Sequence, residues 1–139
     1  MTLMDKVVSA VTPRESEQSR QEARSKARAA ATPNDWLSLV LQQHLQIEAA
    51  FDAVKSSPDA VSRMAAHKRL AVVLTGHANA EESVLYPALA RCGEEADATA
   101  SFTEHAAAKT DMGEREYLDC MSQDYLDKLE HVRSAVAHH

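Results

Sequence analysis

This 139-residue chain predicts an all-α fold: an up-down four-helix bundle preceded by a polar helical arm. Three observations carry that prediction. The chain has only three glycines and four prolines and few aromatics, too little punctuation for a sandwich or barrel. Its long segments place apolar residues three and four apart, the helical period. Ser/Thr-Pro and Ser-x-Asp signals mark the starts of several helices.

Taken in order, the segments read as a short helix near 3–11, a polar helix near 13–31, and longer helices near 34–55, 58–91, 97–120 and 123–139. Thr12-Pro13-Arg14-Glu15 reads as a cap, a proline at the first helical position and a capping-box glutamate. Thr32-Pro33-Asn34-Asp35 and Ser57-Pro58-Asp59 repeat the theme, and Ser122-Gln123-Asp124 offers a fourth cap. The helix near 13–31 is rich in Arg, Glu, Gln and Ala, so it buries little and serves as a solvated arm or a partner-binding element. We therefore divide the chain into an extension, 1–33, and a bundle, 34–139.

In the helix near 34–55, Leu37, Val40, Leu41, Ile47 and Phe51 form one stripe, and His44 and Glu48 fall on it. In the next helix His77 and Glu81 share a face with Leu70, Leu74 and Leu85, and Pro87 should bend or end the helix nearby. The third bundle helix is Ala-rich, with Phe102, Met112 and Gly113. The last carries Tyr125, Leu129, Val132 and Val136 on one face, with His139 continuing that line.

Composition excludes several functions. No stretch approaches 18 apolar residues, and the first residues lack the pattern of a signal peptide, so a soluble cytoplasmic protein is expected. Cys92 and Cys120 read as free thiols. Residues 1–33 carry a net charge of +2 and the remainder −8. An acidic body gives no support for nucleic acid binding.

Seven histidines remain to be explained. His44 with Glu48, and His77 with Glu81, are inward His-x-x-x-Glu pairs on successive helices, while His105 lies in the third helix and His139 on the inward stripe of the fourth. A metal centre inside a bundle needs imidazoles and carboxylates projecting from facing helices into one layer. An intrahelical pair alone returns a few tenths of a kcal/mol, roughly, which is less than burial of its carboxylate costs. Carboxylate oxygen with imidazole nitrogen suits iron, and manganese or zinc less selectively. Glu48 reads as a ligand or as an acceptor orienting a ligand histidine. His131 and His138 lie on a more polar face, as surface groups or outer partners of the site. His67, beside Lys68 and Arg69, reads as solvated.

These residues carry a resemblance. His77-Ala-Asn-Ala-Glu81-Glu82-Ser-Val-Leu-Tyr86-Pro87-Ala-Leu resembles the second-helix signature of the hemerythrin-like, or HHE cation-binding, family. Gln43-His44 followed by Ile47 and Phe51 resembles its first-helix motif, and Glu104-His105 the opening of its third. The resemblance spans about residues 34–139. It implies a four-helix bundle holding a non-haem, oxo-bridged di-iron centre that binds dioxygen or nitric oxide, or senses oxygen, iron or redox state. The ligands carried over are His44, His77, Glu81, His105 and His139, with Glu81 bridging the irons.

The chain departs from the family twice. Lys109 stands four after His105, where hemerythrins carry a second histidine, which leaves room for water or an open position. The acid expected four or five residues beyond the fourth-helix histidine would follow His139, so the fourth helix reads as cut short. No nucleophile or acid–base constellation accompanies the ligands, which favours binding or sensing over turnover. The alternatives are a helical interaction protein, dimeric through the core surface a shortened helix bares, whose metal site is incomplete or empty, and a bundle with a mononuclear zinc or manganese site.

Overall fold

The computed structural model describes residues 16–93 and 119–137. Every regular element among them is helical: α1 (Glu17–Ala30), α2 (Trp36–Ser56), α3 (Ala60–Ala80), a π-helical turn (Glu81–Leu85), α4 (Tyr86–Arg91) and α5 (Gln123–Ala137). No helix among these residues is long and apolar enough to cross a membrane. The helices expected near 3–11 and 97–120 lie outside the described residues. The chain divides into two compact units, 1–38 and 39–139.

In the first unit, α1 starts one turn later than the proline signal suggests. Ser16 caps it, accepting the Ser19 N–H at 3.1 Å. As its composition predicts, α1 buries no residue. Thr32-Pro33-Asn34-Asp35 is a turn rather than the first turn of a helix. Asp35 N–H donates to the Thr32 carbonyl, and Asn34 takes the left-handed conformation at φ 66°. Asp35 then caps α2, accepting the Ser38 N–H at 2.6 Å on one oxygen and the Thr32 N–H at 2.7 Å on the other. Those backbone donors at Thr32 and Ser38 hold its carboxyl below the usual range.

In the second unit the same substitution of caps occurs. The Ser57 hydroxyl turns back to the Ala53 carbonyl, and Asp59 caps α3 through the Ser62 N–H and hydroxyl at 2.8 and 2.9 Å. Each capping aspartate gathers donors on both of its carboxylate oxygens. At α5 the serine does cap, with Tyr125 N–H donating to Ser122 Oγ at 3.2 Å.

The core draws on three helices and one turn. Ile47, Phe51 and Val54 of α2 meet Ala66 and Leu70 of α3, Cys120, and Tyr125, Leu129 and Val132 of α5. Each large apolar side chain in it adds about 1.5–3 kcal/mol relative to exposure. Arg63 is buried at the edge of this cluster with 7 % of its surface exposed. Its Nε donates to the Val54 carbonyl, Nη1 to Cys120, and Nη2 to Lys55 and Ser57, at 2.9–3.2 Å. One guanidinium thus closes the C-terminal end of α2, where the helix dipole is negative, and holds the turn leading into α5.

His67 corrects the sequence reading. It is 2 % exposed rather than solvated, and its Nδ1 lies 2.8 Å from the hydroxyl of fully buried Tyr125. Its neighbours Lys68 and Arg69 mislead, because helical position decides: His67 lies three residues before Leu70 and seven before Leu74, within the inward stripe. Burial is tolerable because Tyr125 supplies the hydrogen bond.

Two outcomes follow. Arg63→Met should lower unfolding stability by about 3 kcal/mol, chiefly through the buried Val54 and Cys120 carbonyls left without a donor. Arg63→Lys should recover only part of that loss, because lysine lacks the planar fork. Urea titrations of both variants measure it. A double-mutant cycle of His67→Phe and Tyr125→Phe should give a coupling of about 1 kcal/mol, and an additive cycle would reject the pair as a stabilising contact.

Candidate metal centre

The inward face of α3 continues past Leu70 and Leu74 to His77 and, in the π turn, Glu81. Both are buried, at 5 % and 4 % exposure. Across from them, α2 presents Gln43 and His44, both partly buried. His44 lies three and seven residues before Ile47 and Phe51, so the face that packs the core also carries this histidine.

The contacts are specific. His77 Nδ1 lies 2.8 Å from Gln43 Oε1. An amide oxygen only accepts, so Nδ1 carries the hydrogen of that bond. Neutral His77 therefore has its lone pair on Nε2, and Nε2 is the atom that faces the other two side chains. It lies 3.2 Å from His44 Nε2 and 3.2 Å from Glu81 Oε1, with the two imidazoles edge to face at 72°. The second oxygen of Glu81 accepts from the Tyr86 hydroxyl at 3.0 Å.

The π turn accounts for that last contact. In a regular helix, residues five apart are displaced by about 140° around the axis and do not share a face. Proline at 87 has no N–H, and its ring would strike the Ser83 carbonyl in a regular turn. The turn widens, Tyr86 N–H bonds to the Glu81 carbonyl, and the helix resumes at Tyr86. The expected disturbance at Pro87 thus takes the form of a one-residue bulge that aligns Tyr86 with Glu81.

His44, His77 and Glu81 each offer a ligand atom, and these atoms lie within 4.8 Å of one another. For bonds near 2.1 Å, neighbouring ligand atoms stand about 3.0 Å apart in an octahedron and about 3.4 Å in a tetrahedron. The two 3.2 Å separations fall between those values. The donor set and the Gln43 contact that turns His77 Nε2 inward fit a first-row metal ion. The group spans up to 4.8 Å, wider than the roughly 4.2 Å that two ligands of one ion can reach, so binding would draw the side chains closer. This group can hold a metal ion, and its composition does not determine which.

Among the described residues, the other expected site residues, Glu48 and His131, lie away from this group. Glu48 turns toward α5, where its Oε2 accepts from Arg133 Nε and Nη2 at 3.0 and 2.7 Å, so it does not orient His44. Arg133 also pairs with Asp52 at 2.9 Å and stands over the Phe51 ring. His131 is exposed on α5. His105, His138 and His139 lie outside the described residues. Gln43 and Tyr86 stand within the sequence motifs, but their roles emerge only from the structure. The signal for Tyr86 was Pro87, whose turn-opening effect brings residue i+5 onto the face of residue i. No protein-family model, curated protein or solved structure matches this chain.

Proposed function

We propose that this is a metal-binding helical protein of the non-haem iron kind, holding its ion through His44, His77 and Glu81. The observation that carries the proposal is the grouping of two imidazole nitrogens and one carboxylate oxygen from buried His77 and Glu81 and half-buried His44, with 3.2 Å between His77 Nε2 and each of the others and all three within 4.8 Å. Iron is the best match to a mixed nitrogen and oxygen set, with manganese and zinc the nearest rivals. In the fuller reading the bundle is a hemerythrin-like four-helix one, and His105 and His139 complete a di-iron centre.

Gln43 holds the Nδ1 hydrogen and so keeps the lone pair of His77 aimed inward. Tyr86 restrains the Glu81 carboxylate. Burial of His77 and Glu81 excludes water, so charge on a bound ion is felt strongly by the groups around it. Iron there would supply an open coordination position for dioxygen or nitric oxide. No nucleophile paired with a base adjoins the group among the described residues, so binding or sensing is the favoured use.

A second reading, a helical interaction protein, draws support from Val61 and Val72 of α3 and Val84 of the π turn, all largely exposed. Light scattering that shows a dimer unchanged by added metal would favour it.

Reconstitution decides the first reading. Purified protein loaded with ferrous iron and desalted should retain iron, with a raised melting temperature. His77→Ala and Glu81→Gln should weaken retention by more than the roughly 10–100-fold that loss of an outer hydrogen-bond partner costs. Metal analysis after parallel loading with zinc and manganese ranks the three ions. A wild-type chain that retains none of them would overturn the proposal.

A further inference from the structure

A carboxylate ligand has three ways to bind: through one oxygen, through both to a single ion, or through both as a bridge between two ions. We infer that Tyr86 restricts Glu81 to the first, so that Glu81 ligates one ion through Oε1 and bridges none. The inference rests on the metal-binding reading above and concerns how this chain uses its acid.

The two oxygens of Glu81 face different partners. Oε1 lies 3.2 Å from His77 Nε2, within the group of convergent ligand atoms. Oε2 accepts from the Tyr86 hydroxyl at 3.0 Å, and both residues are buried, at 4 % and 2 % exposure. Chelation or bridging would require Oε2 to share or leave that bond, which costs hydrogen bonding in a buried site.

The backbone reinforces this arrangement. Tyr86 is linked to Glu81 twice, by its N–H to the Glu81 carbonyl and by its hydroxyl to Oε2. Both links depend on the π turn, which Pro87 forces. A regular helix through 81–86 would carry the phenol away from the carboxylate and release both oxygens. Glu-x-x-x-x-Tyr-Pro is therefore a compact device for holding a carboxylate in one-oxygen coordination, with Tyr86 as a positioning residue.

Infrared difference spectra of the full chain, ferrous-loaded minus metal-free under anaerobic conditions, test the inference. The separation of the symmetric and antisymmetric carboxylate stretches is wide for one-oxygen binding and narrow for chelation or bridging. The wild type should show the wide separation, and Glu81→Gln should abolish those bands, which assigns them. In Tyr86→Phe the separation should narrow, and iron affinity should fall about 10–100-fold. A narrow separation in the wild type overturns the inference and leaves metal binding intact, and the wild-type spectrum decides this even if the variant misfolds. A folded Tyr86→Phe with unchanged bands and affinity overturns it equally. A wild type that takes up no iron removes both this inference and the reading beneath it.

Discussion

A helix whose buried stripe carries an arginine, two histidines and a glutamate is stable only if every one of those polar groups finds a partner. That constraint organises the second unit. Along α3 and the turn that follows, Arg63 takes four carbonyls, His67 takes the Tyr125 hydroxyl, His77 takes Gln43, and Glu81 takes Tyr86. The partners come from the end of α2, the turn before α5, α5 itself, the middle of α2 and the start of α4. Satisfying one helix therefore fixes contacts with most of the others. The apolar core around Leu70 supplies the larger free energy, and the polar contacts select one packing among those the core would tolerate.

The two ends of this stripe differ in kind. Around Arg63 four donor contacts meet main-chain carbonyls, and His67 Nδ1 meets one hydroxyl. Around His77 the partners of Nδ1 and of the far carboxylate oxygen are equally definite, yet Nε2 lies 3.2 Å from both His44 Nε2 and Glu81 Oε1. A proton there serves one neighbour, whereas a cation serves all three. The contrast separates a structural polar contact from a candidate binding site more sharply than burial alone, since His67 is as buried as His77.

Much of this was legible in the sequence. Helical period placed Ile47, Phe51, Leu70, Tyr125, Leu129 and Val132 inward, and the His77–Glu81 spacing located the site. Local identity was the weaker guide. Charged neighbours disguised His67, and its register with Leu74 was the better evidence. Proline suggested helix starts at Pro33 and Pro58, while the caps proved to be Asp35 and Asp59, because a carboxylate gathers two donors and the preceding hydroxyls were engaged elsewhere. Glu48 shows the limit of periodicity. It shares a face with His44, but a face is broad, and Arg133 on a helix remote in sequence drew it aside. Arg63 had no sequence signal, since its acceptors are main-chain carbonyls, which every residue has.

The Arg63 clamp also gives the protein an internal gauge. Its guanidinium grips the carbonyl of Cys120, whose thiol is buried against the Ala60 carbonyl, whereas Cys92 is exposed. An alkylating reagent would therefore meet one thiol at once and the other only when the start of α5 lifts away from α3. The lag between the two modifications measures, on a single chain and without a probe, how often that corner of the core opens.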